Sequence, residues 1–237
     1  MIQTFWHLMV EQGWATAILR GSGVTIVVGL LGMLLGLLFA MSFALARWRG
    51  PWLISQLVYS YTTLIRSVPG LLVIYLLFFG SVQAVDTVAD VFGYKQAARD
   101  SYGFIMGVIS IGIISCAYST EVLRGALRAI PAGIIEAALS LSLPRRIVYL
   151  KIIGPLMLRY ALPGLNNVWQ STIKDTSLIS VVGLEELMRL SAIAAGTTRS
   201  PLLFYVIAAL VFLAITGFSQ VFFTRVEARL NRGFRRV

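Results

Sequence analysis

Charged side chains are scarce in this sequence. Asp, Glu, Lys and Arg make up 13% of the 237 residues, whereas 58% are hydrophobic. Because charged residues reach about a quarter of an ordinary soluble domain, this composition excludes that class and favours an integral membrane protein. The net charge of +10 could suggest nucleic-acid binding. However, the basic residues lie at the edges of apolar runs, as in membrane proteins, and do not alternate with aromatic residues.

Side chains that usually carry catalysis or bind metals are almost absent. The chain has one histidine and one cysteine, and no carboxylate pair lies within its apolar runs. A membrane-embedded enzyme would need paired carboxylates, His or Cys ligands, or a nucleophile beside a base. No G-x-x-x-x-G-K-[ST] phosphate-binding loop is present either. We therefore expect a non-catalytic chain that itself binds no cofactor and no metal, with an enzyme as the remote alternative.

Five apolar runs are long enough to cross a membrane, which takes roughly 20 helical residues. The second carries Arg66 in its inner part, and the fourth is interrupted only by Lys174 and Asp175. The sequence therefore predicts an all-α integral membrane protein with one domain over residues 1–237. The predicted spans cover residues 22–46, 55–82, 101–125, 160–184 and 200–224.

Basic residues are distributed unevenly between the two sides of these spans. With a cytosolic C-terminus, the inside segments hold fourteen Lys and Arg and the outside segments five, with Lys174 inside a span. Cytosolic segments carry the excess of basic residues in membrane proteins. The N-terminus is therefore predicted outside and the C-terminus inside, with the C-terminal arginines near anionic lipid.

The longest inside segment, residues 126–158, joins the third and fourth spans. Pro131, Pro144 and Pro155 divide it, which predicts short helices of about ten residues each. The chain is predicted to break at Pro131 and Gly133 and to restart as a short helix headed by Glu136. It is either a plain amphipathic surface helix or a helix that docks into a groove of a soluble partner.

The residues around this loop resemble the permease subunits of ABC importers for polar amino acids. In that family, A-Y-x-x-E-x-x-R-G precedes a loop that reads E-A-A-x-x-x-G, nine residues, then I-x-L-P. Ser142 replaces the loop glycine and Gly154 the leucine; the serine makes the turn less tight, since only glycine takes positive φ without cost. The residues that match are Ala117, Tyr118, Glu121, Arg124, Gly125, Glu136, Ala137, Ala138, Ile152 and Pro155.

The resemblance implies that the loop is a coupling helix that docks into an ATPase. It further implies two ATP-binding cassette subunits that use ATP and Mg, and a second permease that is a sister chain rather than a copy. The resemblance also implies an extracytoplasmic solute-binding protein as a partner and a location in the bacterial inner membrane. It implies no nucleic-acid partner. The residues assigned to ATPase coupling are Gly133, Glu136, Ala137, Ala138, Ser142 and Pro155.

Residues 158–169 are similar to the paired permeases of histidine/lysine/arginine/ornithine and opine importers. This resemblance implies import of polar, basic amino acids or opines. An importer of glutamate, glutamine or cystine is the alternative. A secondary carrier would show inverted repeats, and the sequence has no internal repeat.

The fourth span carries amide, hydroxyl and charged groups at several depths, so it cannot face lipid. It lines either a wet solute pathway or a polar seam between two permeases. For its two adjacent charges, we predict that Asp175 faces the cavity and Lys174 pairs across the seam. The candidate pathway residues are Asn166, Gln170, Asp175 and Ser177.

Three further charges are predicted to be structural. Glu121 and Arg124 are spaced for a local pair on one helix face. Arg66 is predicted either to reach the inner headgroups or to pair with Glu121, because exposure to lipid would cost at least ~2.5 kcal/mol. Close helix packing is expected at the glycines of the first and third spans, which are Gly29, Gly32, Gly36, Gly103 and Gly107.

Overall fold

The computed structural model describes residues 6–93 and 95–231, and all regular structure in that part of the chain is helical. A π-helical turn over His7–Glu11 precedes the first long helix. The helices are α1 (Trp14–Arg49), α2 (Trp52–Ser67), α3 (Gly70–Phe92), α4 (Lys95–Arg128), α5 (Ala132–Ser140), α6 (Gly154–Asp175), α7 (Leu187–Thr198) and α8 (Pro201–Leu230). The arginines predicted near the C-terminal lipid surface at 232, 235 and 236 lie outside the described residues.

Five helical segments of the described chain are long and apolar enough to cross a membrane, which confirms the predicted number of spans. They cover Trp14–Arg49, Gly70–Val91, Ser101–Arg128, Arg145–Val182 and Pro201–Leu230. Two ends of the bundle can be distinguished. The α5 end carries α5 and the end of α1, and the α7 end carries α7 and the start of α8.

The second span differs from its predicted bounds of 55–82. The chain forms two helices there, α2 and α3, because Val68 is extended (ψ 140°) and Pro69 follows it. A proline disfavours the helical conformation of the residue before it and has no N–H to donate. The predicted single span is therefore interrupted at this point, and the helix of membrane length begins only at Gly70.

The inside segment also differs in part from the prediction. Pro131 precedes α5 as expected, but α5 begins at Ala132, so Gly133 lies within the helix and does not break it. Only this one short helix is separate. A helical turn at Arg145–Ile147 continues through the π-helical segment Val148–Ile153 into α6. Pro155 does not end this helix; it follows directly after the π-helical segment, as the second residue of α6.

Glycines let α1 lie very close to α4. A Cβ atom on Gly36 would lie 2.3 Å from Ser115 Oγ, and one on Gly32 would lie 2.5 Å from Ile111 Cγ2. The packing role predicted for these glycines is confirmed. It is wrong for Gly103, which has open space around it.

Candidate functional site

Helix α5 is attached to the rest of the chain by one side of its surface. Ala138 is 4% exposed and packs into the core at the α5 end, together with Leu127 and Val148. Glu136 and Ala137 are exposed, and nothing lies within 4 Å of a Cβ placed on Gly133. Ala138 and the partly buried Ile135 therefore anchor α5 to its own chain, and the other residues of the helix are open to a partner.

The turn after α5 has the hydrogen bonds of a Schellman motif. The N–H of Ser142 donates to Leu139 O (2.9 Å) and that of Leu143 to Ala138 O (3.4 Å). Ser142 is left-handed, with φ 54°. The serine thus adopts the conformation that glycine takes without strain, and the turn is as tight as with glycine.

Apolar side chains surround α5 on the exposed surface. Leu141 is 74% exposed and Leu150 is 65% exposed, and Leu139 and Ile147 are also exposed. Arg145 and Arg146 lie among them. A contiguous apolar surface with charged neighbours is typical of a protein–protein contact.

Glu121 is the centre of a charge cluster that joins three helices. Its carboxylate accepts from Arg124 Nε (2.9 Å) and Nη2 (2.6 Å) on α4, and from Thr62 Oγ1 (3.1 Å) on α2. It also forms an ion pair with Arg47 at the end of α1. The predicted partner Arg66 instead places its guanidinium 5.5 Å from the Tyr118 ring centroid. Sequence reasoning missed Arg47, which is 74 residues away.

Two of the predicted pathway residues bind α8. Asn166 Nδ2 donates to Gln220 Oε1 (2.8 Å), and Gln170 Nε2 donates to Thr216 O (3.2 Å). Both amides therefore stabilise a contact inside this chain. The Ser177 hydroxyl donates to Lys174 O (2.7 Å), one turn back along the helix.

The two adjacent charges of the fourth span have different surroundings. Asp175 is half-buried, whereas the Lys174 side chain is exposed. Within the described residues Lys174 forms no ion pair. The structure therefore presents the lysine, more than the aspartate, at the protein surface.

A buried carboxylate that the sequence did not reveal holds the α7 end together. Glu186, 0% exposed, caps α7 by accepting from Met188 N (2.9 Å) and Arg189 N (2.7 Å). It also accepts from Thr25 Oγ1 of α1 (3.2 Å). Burial raises the pKa of Glu186 above its usual range, although these three hydrogen bonds oppose the shift.

Comparison with known proteins agrees with this architecture. The chain is 42% identical over 226 residues to the nopaline transport system permease protein NocQ of Agrobacterium fabrum, covering 95% of each chain. It is 34% identical over 224 residues to the histidine/lysine/arginine/ornithine transport system permease protein HisQ of Escherichia coli, covering 94% of this chain and 97% of HisQ.

Solved structures show the same fold. A chain of an amino acid ABC transporter crystallised with histidines superposes with a TM-score of 0.78 at 25% identity, covering 94% of this chain and 98% of that one. The inward-facing MetNI methionine ABC transporter, at 15% identity and TM-score 0.69, shares the fold. The family model described as "Binding-protein-dependent transport system inner membrane component" matches residues 8–232. This chain therefore belongs to the family of binding-protein-dependent transport system inner membrane components.

Proposed function

We propose that this chain is the translocation subunit of an ATP-driven importer of basic amino acids or opines. Its relatives transport nopaline, octopine, and histidine, lysine, arginine and ornithine, which supports this class of solute. ATP hydrolysis comes from partner subunits, since the sequence contains no phosphate-binding loop. The importer also contains a second permease and an extracytoplasmic solute-binding protein.

The observation that carries the proposal is the exposed surface of α5. A helix anchored on one side by Ala138 and Ile135, with an exposed Glu136 and exposed apolar residues such as Leu139 and Leu141, has the chemistry of a docking element. Because Ala138 ties α5 to the core that holds α1, α4 and α6, movement of a docked ATPase is transmitted to the spans.

The α5 end lies in the cytosol in this proposal. It carries Arg124, Arg128, Arg145, Arg146 and Lys151, whereas the α7 end carries Arg20, Arg189 and Arg199. An excess of basic residues marks the cytosolic side. The same orientation turns α5 toward the ATPase and α7 toward the solute-binding protein.

The experiment that tests the docking role is a charge reversal, Glu136→Arg, with Glu185→Arg as the matched control. Both glutamates are exposed, and they lie at opposite ends of the bundle. We expect Glu136→Arg to leave the permease in the membrane but to reduce co-purification of the ATPase and to abolish transport. Normal ATPase binding and transport by Glu136→Arg would contradict the docking role, as would an equal loss of ATPase with Glu185→Arg.

A further inference from the structure

Helix α6 has an exposed, mostly polar face beside the residues that bind α8. Pro163, Asn167, Ser171 and Lys174 are all exposed, and their spacing of four, four and three residues places them on one side of the helix. At a rise of 1.5 Å per residue, this face extends over about 17 Å. Among the described residues, neither Asn167 nor Ser171 finds a side-chain hydrogen-bond partner, in contrast to Asn166 and Gln170.

Helix α2 has a similar face. Gln56, Ser60, Thr63 and Ser67 are exposed with spacings of four, three and four residues. On the opposite side of α2, Val58 and Thr62 are buried against the rest of the chain. The polar residues therefore point away from the protein's own core.

Tyr118 of α4 lies between these two faces. It is the one exposed residue of the segment 111–120, and Arg66 of α2 stacks on its ring. One turn further along α4, Val122 Cγ1 lies only 2.6 Å from the position of a Cβ on Gly164 of α6. Because α4 and α6 run in opposite directions, Tyr118 reaches the depth of Asn167 and Ser171. The two polar faces thus flank Tyr118 on one surface.

This surface cannot face lipid. By contrast, the stretch of α8 around Leu210, Leu213 and Phe218, each at least 58% exposed, is apolar and suits the hydrocarbon. Unpaired amides, hydroxyls and a lysine at the same depth would each lose hydration in lipid without a compensating bond. The polar surface must therefore meet either water or a polar partner.

We propose that this surface lines the water-filled conduit and that Asn167, Ser171 and Lys174 contact the solute, with Lys174 binding its α-carboxylate. This inference rests on the proposed import function, since it assigns the solute-contacting residues of that importer. An ammonium group at the surface without a carboxylate partner suits the carboxylate that every amino acid and opine carries. Hydroxyl and amide groups along the same face replace water around the rest of the solute.

Accessibility of single cysteines tests the conduit. The buried Cys116 is first replaced by alanine, and cysteine is then introduced by Ser171→Cys or Thr63→Cys, with Leu213→Cys on the apolar face as control. The assembled importer in proteoliposomes is treated with the membrane-impermeant anion methanethiosulfonate ethylsulfonate. We expect the first two variants to react at least tenfold faster than the control, and transport to fall on labelling.

Substitution of Lys174 tests the carboxylate contact. We expect Lys174→Gln to raise the KM for transport at least tenfold in a complex that still assembles, and Lys174→Arg to restore most of the affinity. Loss of permease association in Lys174→Gln would instead show a seam between permeases and overturn the proposal. Slow labelling of Ser171→Cys and Thr63→Cys in a complex that transports would likewise overturn it, while leaving the importer function intact. A wild-type complex that transports neither amino acids nor opines would refute the proposed function itself.

Discussion

Replacement of Ser142 by glycine is expected to stabilise the loop that carries α5. Ser142 has φ 54° at the C-terminal turn of this helix. For an L-residue with a Cβ this conformation costs roughly 1–2 kcal/mol, whereas glycine adopts it freely. Glycine also gains more conformational freedom in the unfolded loop, which offsets about 0.5–1 kcal/mol. The net stabilisation is therefore about 0.5–1 kcal/mol, or roughly two- to fivefold in the equilibrium for local opening.

Hydrogen exchange at the turn measures this equilibrium directly. The amides of Ser142 and Leu143 bond to Leu139 O and Ala138 O, so their exchange requires the turn to open. In the purified permease we expect Ser142→Gly to slow exchange of both amides two- to fivefold. Exchange in α8, far along the chain, is expected to stay unchanged.

Ser140→Gly is the matched control for this prediction. Ser140 is the last residue of α5 and lies within the helix, where glycine is worse than other residues by up to about 1 kcal/mol. The two glycine substitutions should therefore have opposite effects on exchange of the amides at residues 142 and 143. Ser142→Gly should slow this exchange, and Ser140→Gly should accelerate it. Acceleration by both substitutions would refute the strain argument. Equal slowing by Ser142→Ala would show that loss of the hydroxyl, and not relief of the positive φ, is responsible.

Three further predictions concern the charge cluster, the α7 cap and the orientation. Glu121→Ala should lower the free energy of unfolding by roughly 2–3 kcal/mol, seen as a lower Tm, because it leaves two partly buried arginines without their carboxylate; an unchanged Tm would contradict this. Glu186→Ala should cost about 1–2 kcal/mol through loss of the cap, and Glu186→Gln less, since burial already favours a neutral side chain there; equal Tm values for the two would refute the cap argument. For the orientation, cysteines introduced by Glu185→Cys and Ser140→Cys should differ in intact cells, with only the former reacting with an impermeant maleimide, and equal labelling would contradict the proposed topology.

The number of spans could be predicted from the sequence because each needs only a long apolar run, and charge is scarce enough for such runs to stand out. Where a helix stops within a span could be predicted less well from the sequence. One span was predicted over residues 55–82, yet the chain forms two helices there, because Val68 before Pro69 is extended. Pro155 was expected to divide helices, yet it stands in the first turn of one. A proline shows where an N–H is missing, but the surrounding packing decides whether the helix stops.

Partners across the bundle could not be predicted from the sequence. The pair of Glu121 with Arg124 follows from a spacing of three residues, whereas the pair with Arg47 depends on how α1 packs against α4. That packing is set by the close approach at Gly32 and Gly36. Local spacing carries no information on such contacts, so the second arginine of the cluster was missed.

Asn166 and Asn167 show how helix rotation assigns different roles to identical side chains. They are adjacent and have the same amide, but successive residues of a helix point about 100° apart. Asn166 donates to Gln220 and fixes α6 to α8, whereas Asn167 is exposed. The sequence identified α6 as a helix with polar groups at several depths, but it did not predict which of them contact α8. Since the rotation of a helix about its axis is decided by its neighbours, the exposed side of α6 could be assigned only once α4 and α8 were packed against it.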